Sequence, residues 1–471
     1  MRDTRKSAQK YLGKLDPHSK GIVRKIIGSL LFASVAAALP EYAGLSEAGR
    51  WCLFILLLAG GLWVTEAIPA FAVSLLVIGL EIMVLGRPGG VLAETKSDWT
   101  MFVEPWSSPV IWLFFGGFVL ASAAAKSGLD RQVCAMVIRR CQSKPSLVLL
   151  GVMGVTFVFS MFVSNTATTA MMMAVVTPVI IALPKDQKFA RALLLGVPVA
   201  ANLGGMGTVI GSPPNAIAVG ILQDKDPVSF LQWMAIGLPP ALVLAGVGFV
   251  YLLVRYPAGN TKLDLSSALS PSIGEEPAPR WQQTVVFVVF MVTVGLWMSG
   301  PLHGVPTPVV SFVPITAFTV TGVLGAFDMR KLPWDVLLLM TGGLSLGVGV
   351  SETGLADWLL QQLPVDAVSP FVLAGAFAFG CMALSNFMSN TAATNIIVPV
   401  AAAIGTGFDL KIIAPIALAA STAMCLPVST PPNAIAYSSG RLEAKDFVAV
   451  GIIMGILGAA LATGWCALVL D

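Results

Sequence analysis

The sequence predicts an all-α polytopic membrane protein. Of its 471 residues, 56% are hydrophobic and 11% are charged, whereas soluble domains carry about 25% charged residues. The apolar residues form continuous runs rather than the alternating pattern of barrel strands. Three motifs also occur twice in the same order, which indicates two repeated halves. They are a Gly-Gly pair (Gly116-Gly117 and Gly342-Gly343), a Ser-Asn-Thr motif and a Pro-Pro-Asn motif.

The apolar runs predict about 11 membrane-spanning helices, since a helix needs about 20 apolar residues to cross a bilayer. These runs cover residues 26–41, 50–67, 70–86, 109–125, 191–222, 232–254, 284–300, 306–326, 335–350, 411–425 and 447–469. Two more apolar stretches, 147–183 and 368–407, are too long for one helix and are interrupted near their centres by polar residues. We therefore expect two re-entrant hairpins, each of which enters and leaves on one side of the membrane.

Loop charges predict how these segments are oriented. The segment before Ile26 is rich in Lys and Arg, so the N-terminus should be cytoplasmic. Basic residues flank both ends of the first hairpin, whereas Glu352, Asp357 and Asp366 precede the second. The first hairpin should therefore open to the cytoplasm and the second to the outside. Two halves of opposite orientation form an inverted repeat, which is typical of secondary transporters.

A Ser-Asn-Thr motif lies at the centre of each hairpin. Ser160-x-x-x-Ser164-Asn165-Thr166 recurs as Ser385-x-x-x-Ser389-Asn390-Thr391. Asn supplies a donor and an acceptor and Ser and Thr supply hydroxyls, so such a tip can bind a carboxylate and a small cation. The alternative is that these residues only cap two turns. Two related copies weaken that alternative more than one copy would.

A Pro-Pro-Asn motif interrupts one later helix in each half. Gly211-Ser212-Pro213-Pro214-Asn215 recurs as Ser429-Thr430-Pro431-Pro432-Asn433. Proline breaks the helical hydrogen-bond ladder and frees carbonyl groups that can bind Na⁺, although the motif could also mark a simple kink. Several glycines precede the first copy and permit close backbone approach, whereas none precedes the second over residues 424–429. The second cation site is therefore less well defined than the first.

The composition excludes several other functions. The six cysteines form no CxxC pair, and the two histidines, His18 and His303, lie in a charged tail and a loop. These facts argue against a zinc site, a hydrolase or any other enzyme, and nothing indicates an organic cofactor. A net charge of +3 without a basic patch indicates no nucleic-acid partner.

Charged residues are scarce where the motifs lie. The hairpin tips and helix breaks contain no Lys, Arg or His, so a bound anion would need a co-bound cation, and this favours Na⁺ coupling. Two acidic residues, Glu66 and Glu81, lie near the ends of apolar runs. Intramembrane acids are functional candidates by default. We nevertheless expect both to be structural and to reach the interface.

These motifs, together with Trp63-Val64-Thr65-Glu66-Ala67-Ile68-Pro69, resemble the divalent anion/sodium symporter (DASS) family of INDY-like di- and tricarboxylate transporters. The resemblance covers nearly the whole chain beyond the tail. It implies a homodimer in the lipid bilayer that works by an elevator mechanism. It also implies substrate contacts by Asn165, Thr166, Asn390, Thr391 and Pro431. One Na⁺ site would be formed by Ser160, Ser164, Asn165 and the carbonyl group of Gly211, and the other by Ser385, Asn390 and the carbonyl region of Ser429.

The resemblance also divides the chain into a static scaffold and a moving transport domain. The predicted parts are a cytoplasmic tail (1–25), scaffold (26–146), transport domain (147–254), cytoplasmic linker (255–283), scaffold (284–367) and transport domain (368–471). The predicted function is Na⁺-coupled import of C4-dicarboxylates such as succinate, malate or fumarate across the plasma membrane. A Na⁺-independent dicarboxylate exchanger and a citrate or sulfate transporter are the alternatives within the family. An ion channel fits two opposed hairpin tips less well.

Overall fold

The computed structural model describes residues 17–39, 42, 44–141, 144–184, 187–223, 225–259, 278–362, 368–404 and 409–470. These residues form helices joined by turns, and no strand occurs among them. The predicted all-α class is therefore confirmed. Residues 1–16 of the predicted tail and 260–277 of the predicted linker lie outside the described residues.

Within the described parts of the chain, seven helices are long and apolar enough to cross a membrane: Glu47–Thr65, Pro109–Ser127, Lys188–Gly207, Phe230–Arg255, Arg280–Met298, Trp334–Glu352 and Ala444–Val469. Three predicted spans form shorter helices, at Ala70–Gly86, Thr307–Val320 and Asp409–Ala420. The run 26–41 belongs to the helix Pro17–Ala37, which starts inside the predicted basic tail. Hydropathy locates the apolar part of a helix but not its ends, because helical hydrogen bonds continue through charged residues.

The same order of elements occurs in both halves of the chain. In the first half, Pro109–Ser127 and Leu129–Arg140 precede the first hairpin (Pro145–Ser160 and Asn165–Ala182), the first broken helix (Lys188–Gly204 and Pro213–Leu222) and the closing helix Phe230–Arg255. In the second half, Trp334–Glu352 and Leu355–Gln362 precede the second hairpin (Pro370–Ser385 and Asn390–Ile404), the second broken helix (Asp409–Ala420 and Pro431–Tyr437) and the closing helix Ala444–Val469. Both hairpins begin and end within a few residues of their predicted bounds.

The broken helices lie at the centre of the molecule. Of the residues in the apolar part of Lys188–Gly207, 94% are buried, against 17% for Arg280–Met298 at the periphery. The short helix after each break packs against the hairpin of the other half: Pro213–Leu222 against Asn390–Ile404, and Pro431–Tyr437 against Asn165–Ala182. The two halves therefore exchange contacts reciprocally around their helix breaks.

In each closing helix, one glycine packs directly against the neighbouring helix break. A Cβ atom at Gly237 would overlap the carbonyl oxygen of Met206, and one at Gly451 would overlap the Cα atom of Cys425. Glycine is needed at these two positions because only a residue without a side chain lets two backbones approach so closely. The closing helices therefore fix the position of both breaks.

The two acidic residues have different surroundings. Glu66 is exposed and ends the helix Glu47–Thr65 in the left-handed conformation, with φ at 48°, as a structural residue. The prediction that Glu81 reaches the interface is wrong, because its side chain is fully buried. It lies 2.5 Å from Ser345 Oγ and against Gly349, so it joins Ala70–Gly86 to Trp334–Glu352. Packing between helices, which the sequence does not display, accounts for the difference.

Candidate functional site

The first hairpin tip meets the first broken helix at Ser160. This residue ends one arm of the hairpin, and Asn165 begins the other. The hydroxyl of Ser160 donates to the carbonyl oxygen of Ala201 at 2.7 Å and lies 2.7 Å from the amide oxygen of Asn165. The same end of the Asn165 amide lies 3.1 Å from the carbonyl oxygen of Gly211. The structure thus brings together three of the four predicted ligands of the first cation site.

The donor set at this point fits a sodium ion. The Asn165 amide can turn its nitrogen toward the carbonyl oxygens of Gly211 and Ala201, at 3.1 and 3.3 Å, and donate hydrogen bonds to them. When it turns its oxygen toward them instead, four oxygen atoms converge, with Ser160 Oγ as the fourth. Oxygen atoms repel one another unless a cation lies between them. Carbonyl groups freed by a helix break are characteristic Na⁺ ligands in secondary transporters.

The break itself is braced by two residues whose roles the sequence did not reveal. Asn215 Nδ2 donates to the carbonyl oxygens of Gly205 and Thr208, at 2.8 and 2.7 Å. Thr208 Oγ1 accepts from the backbone nitrogen of Gly211 at 3.0 Å and donates to the carbonyl oxygen of Met161. The Pro-Pro-Asn motif signals the break, but only the structure shows that its asparagine holds the loop in shape.

The second hairpin tip repeats this arrangement. Ser385 Oγ lies 2.7 Å from Asn390 Oδ1 and 3.3 Å from the carbonyl oxygen of Ala420. Asn433 Nδ2 donates to the carbonyl oxygens of Met424 and Leu426, at 3.0 and 2.9 Å. The second break therefore has the same bracing by an asparagine as the first, although it lacks the run of glycines.

The side chains of Ser164 and Ser429 have other partners, which leaves the predicted role of the Ser429 carbonyl group untouched. The hydroxyl of Ser164 accepts from the backbone nitrogen of Ala167 at 3.3 Å and caps a helix. The hydroxyl of Ser429 donates to the carbonyl oxygen of Asn386 at 2.9 Å. Asn386 also accepts from the backbone nitrogen of Cys425 at 2.8 Å. Asn386 therefore ties the second tip to the second break, and no sequence motif singled it out.

The two breaks are hydrogen-bonded to each other. Asn202 Nδ2 donates to Thr430 Oγ1 at 3.2 Å, and Ser421 Oγ lies 3.4 Å from Ser212 Oγ. Among the predicted substrate residues, Asn165 and Asn390 are half-buried, Thr391 is buried, and Thr166 and Pro431 are exposed. The site is therefore one polar region in which neutral side chains and backbone groups predominate.

A cavity of about 450 Å³ lies between the first hairpin and the helix Pro109–Ser127. Ser164 and Thr168 line it near the hairpin tip, and Asp130, Arg131 and Lys331 line its other end. Among the described residues, Thr168 Oγ1 is buried without a hydrogen-bond partner. Burial raises the pKa of the Asp130 carboxyl, so this end of the cavity becomes more positive as the pH falls. The volume is within the range of small-molecule sites, about 300–1,000 Å³.

Two hairpins set against two broken helices form the central site of a secondary transporter. Residues 61–420 match the family model described as a citrate transporter, and the chain belongs to this family. The chain is therefore a multi-pass membrane transporter and not an enzyme. This finding confirms the resemblance to the di- and tricarboxylate transporters that the doubled motifs indicated.

Individual relatives agree with this assignment. The chain is 32% identical to the sodium-dependent dicarboxylate transporter SdcS of Staphylococcus saprophyticus, over 93% of this chain and 89% of that protein. It is 32% identical to SdcS of Staphylococcus aureus, over 95% and 91% of the two chains. Two solved structures share the fold alone, each with a TM-score of 0.53 over 85% of this chain: the YdaH transporter of Alcanivorax borkumensis, at 14% identity over 97% of its chain, and MtrF of Neisseria gonorrhoeae, at 12% identity over 96%.

Proposed function

We propose that this protein imports C4-dicarboxylates, such as succinate, malate or fumarate, together with Na⁺ across the plasma membrane. The observation that carries the proposal is the group of oxygen atoms around Asn165, which fits a cation at a hairpin tip. The sodium-dependent dicarboxylate transporters that the chain resembles support it. The repeated arrangement at Asn390 supports a second cation site of the same kind.

In this proposal, the asparagine amides couple the binding of Na⁺ to the binding of the dicarboxylate. An amide whose oxygen faces Na⁺ must turn its nitrogen the other way, where the two N–H groups can donate to a substrate carboxylate. Without the cation, the nitrogen of Asn165 instead donates to Gly211 and Ala201 and is lost to the substrate. Na⁺ binding thereby prepares the site for a dianion that has no basic side chain to pair with.

The membrane potential drives import when the Na⁺ ions carry more charge than the substrate. Moving one negative charge inward against 100 mV costs about 2.3 kcal/mol. Import is driven when the charge of the Na⁺ ions exceeds that of the dicarboxylate. We infer that both hairpins and both broken helices move together as a transport domain, in a homodimer with cytoplasmic N-termini, because these elements hold the site and pack against one another.

Uptake into proteoliposomes tests this function. Radiolabelled succinate should enter when an inward Na⁺ gradient is imposed, and an equal K⁺ gradient should give only background uptake. Uptake that needs internal dicarboxylate and no Na⁺ would instead make the protein an exchanger. Citrate should be tested in parallel, since the matching family model is described as a citrate transporter.

The charged end of the cavity predicts an electrostatic effect on transport. Lys331, whose Nζ lies 4.1 Å from the ring centroid of Phe327, and Arg131 are the basic residues lining it. Lys331→Gln should raise the dicarboxylate concentration for half-maximal transport by about 3–10-fold when the substrate enters through the cavity, because local positive charge concentrates an anion. The effect should be strongest at low ionic strength. Transport is measured at 20 and 200 mM salt, where the electrostatic screening length is about 22 Å and 7 Å.

A charge change of opposite sign supplies the check. Asp130→Asn should lower the same half-maximal concentration, since it removes a negative charge from the lining. Lys445→Gln is the matched control, because Lys445 pairs with Glu443 at 2.6 Å and is absent from the cavity lining. A change of the half-maximal concentration in the same direction in Lys331→Gln and Asp130→Asn would contradict this electrostatic role for the charged end of the cavity.

A further inference from the structure

Ala170 and Asn395 occupy equivalent positions in the two hairpins but have different surroundings. Ala170 lies five residues after the tip residue Asn165, and Asn395 lies five residues after Asn390. Ala170 lines the cavity that separates the first hairpin from Pro109–Ser127. At the corresponding place in the second half, Asn395 is fully buried and its hairpin is in direct contact with Trp334–Glu352. One hairpin is therefore open along this side, and the other is closed.

The closed contact depends on a polar side chain and a glycine. Asn395 Nδ2 donates to the carbonyl oxygen of Leu339 at 3.0 Å. Its amide occupies the space beside Gly343, where a Cβ atom would overlap it. Asn395 Oδ1 is buried and has no hydrogen-bond partner among the described residues. The Asn395 amide thereby joins the hairpin to Trp334–Glu352 through a hydrogen bond and through close packing.

The contact is built so that it can be broken. The carbonyl oxygen of Leu339 also accepts from Ser74 Oγ at 3.1 Å. Since Ser74 lies on Ala70–Gly86, this second hydrogen bond does not involve the hairpin. When Asn395 withdraws, the carbonyl oxygen of Leu339 keeps a hydrogen-bond partner.

We propose that Asn395 is a positioning residue that holds the second hairpin closed on Trp334–Glu352 and so favours the conformation with the cavity open at the first hairpin. The inference rests on the proposed function, in which the hairpins move relative to these flanking helices. The opposite conformation closes the first hairpin on Pro109–Ser127, where Ala170 supplies no hydrogen bond. The asymmetry between Asn395 and Ala170 thereby sets the balance between the two conformations.

Labelling of the cavity measures that balance without any substrate. A cysteine replaces Ala170 in a Cys425→Ser background, since the other five native cysteines are buried. The protein is placed in lipid nanodiscs, where both faces are accessible, and treated with a polar maleimide. Asn395→Ala should slow labelling of Ala170→Cys about 3–10-fold, because the closed second hairpin loses its hydrogen bond. An unchanged labelling rate would overturn the proposal.

A second variant separates conformational balance from simple damage. Gly343→Ala should also slow labelling, because the new methyl group displaces the Asn395 amide. Combining it with Asn395→Ala should restore part of the rate, since the overlap is then absent. Gly347→Ala is the control on the same helix, where a Cβ atom meets only Ile221 at an ordinary 3.6 Å. Additive slowing in the double variant would contradict the proposed contact.

The two proposals fail in different ways. If the wild-type protein moves no dicarboxylate but Asn395→Ala still slows labelling, the proposed function fails and the conformational role of Asn395 stands. If the wild-type protein transports succinate with Na⁺ while labelling is the same in both forms, the role of Asn395 fails and the proposed function stands.

Discussion

Asn165→Ala should abolish Na⁺-driven succinate uptake at ordinary Na⁺ concentrations. The substitution removes the amide that lies between Ser160 and the carbonyl oxygens of Gly211 and Ala201. Hydrogen bonds and similar contacts to a charged group contribute about 1.5–3 kcal/mol, and each 1.4 kcal/mol is about tenfold in affinity. The Na⁺ concentration for half-maximal uptake should therefore rise at least about tenfold, as a Na⁺ titration of proteoliposome uptake would show.

Asn390→Ala should have a comparable effect, because Asn390 Oδ1 lies 2.7 Å from Ser385 Oγ, which itself lies 3.3 Å from the carbonyl oxygen of Ala420. Thr316→Val is a suitable control, since the Thr316 hydroxyl is exposed and donates only within its own helix, to Phe312 and Val313. Normal Na⁺ dependence in both asparagine variants, with folding intact, would remove the basis for placing cations at the hairpin tips.

Gly237→Ala should destabilise the protein and stop transport together. The added Cβ atom overlaps the carbonyl oxygen of Met206 in the first break, and neither backbone can move without displacing the loop that carries Gly211. Overpacking of this kind costs about 1–3 kcal/mol. Gly451→Ala should act in the same way on the second break, at Cys425. Thermal unfolding in detergent and Na⁺-driven uptake are the two measurements.

Each closing helix contains its own control. Gly246 and Gly464 lie on the same helices as Gly237 and Gly451, and a Cβ atom at either meets nothing within 4 Å. Alanine there should leave stability unchanged or raise it slightly, because alanine is favoured over glycine in a helix by about 1 kcal/mol. A loss at Gly246→Ala equal to that at Gly237→Ala would mean that helix flexibility, rather than close packing, is the cause.

The sequence predicts the central elements well because their chemistry interrupts an otherwise apolar pattern. A Ser-Asn-Thr cluster inside a long apolar run, and paired prolines inside a span, are both visible without coordinates. The hairpins accordingly lie close to their predicted bounds, and Ser160, Asn165 and Gly211 come together as expected. The number of full spans was less predictable, since apolar length alone does not show where a turn shortens a helix, as at Thr307–Val320.

Contacts that depend on backbone atoms or on helix packing could not be read in advance. Ala201 and Ala420 contribute carbonyl oxygens, and nothing in an alanine side chain indicates such a role. Glu81 lies near the end of an apolar run in sequence, yet it is buried against Ser345 on a distant helix. The contacts of Asn395 with Gly343 and Leu339 likewise could not be predicted, because these two residues lie on a different helix.

The exchange of short helices between the halves has a consequence for biosynthesis. Pro213–Leu222 packs on the second hairpin, and Pro431–Tyr437 packs on the first. During translation, the first break is complete before its covering helices in the second half have been made. Asn202 and Ser212 then lack Thr430 and Ser421, their hydrogen-bond partners in the second half, and polar groups without partners are costly in lipid. The first half must therefore stay in a hydrated environment, such as the insertion machinery supplies, until the second half arrives and the two assemble as one unit.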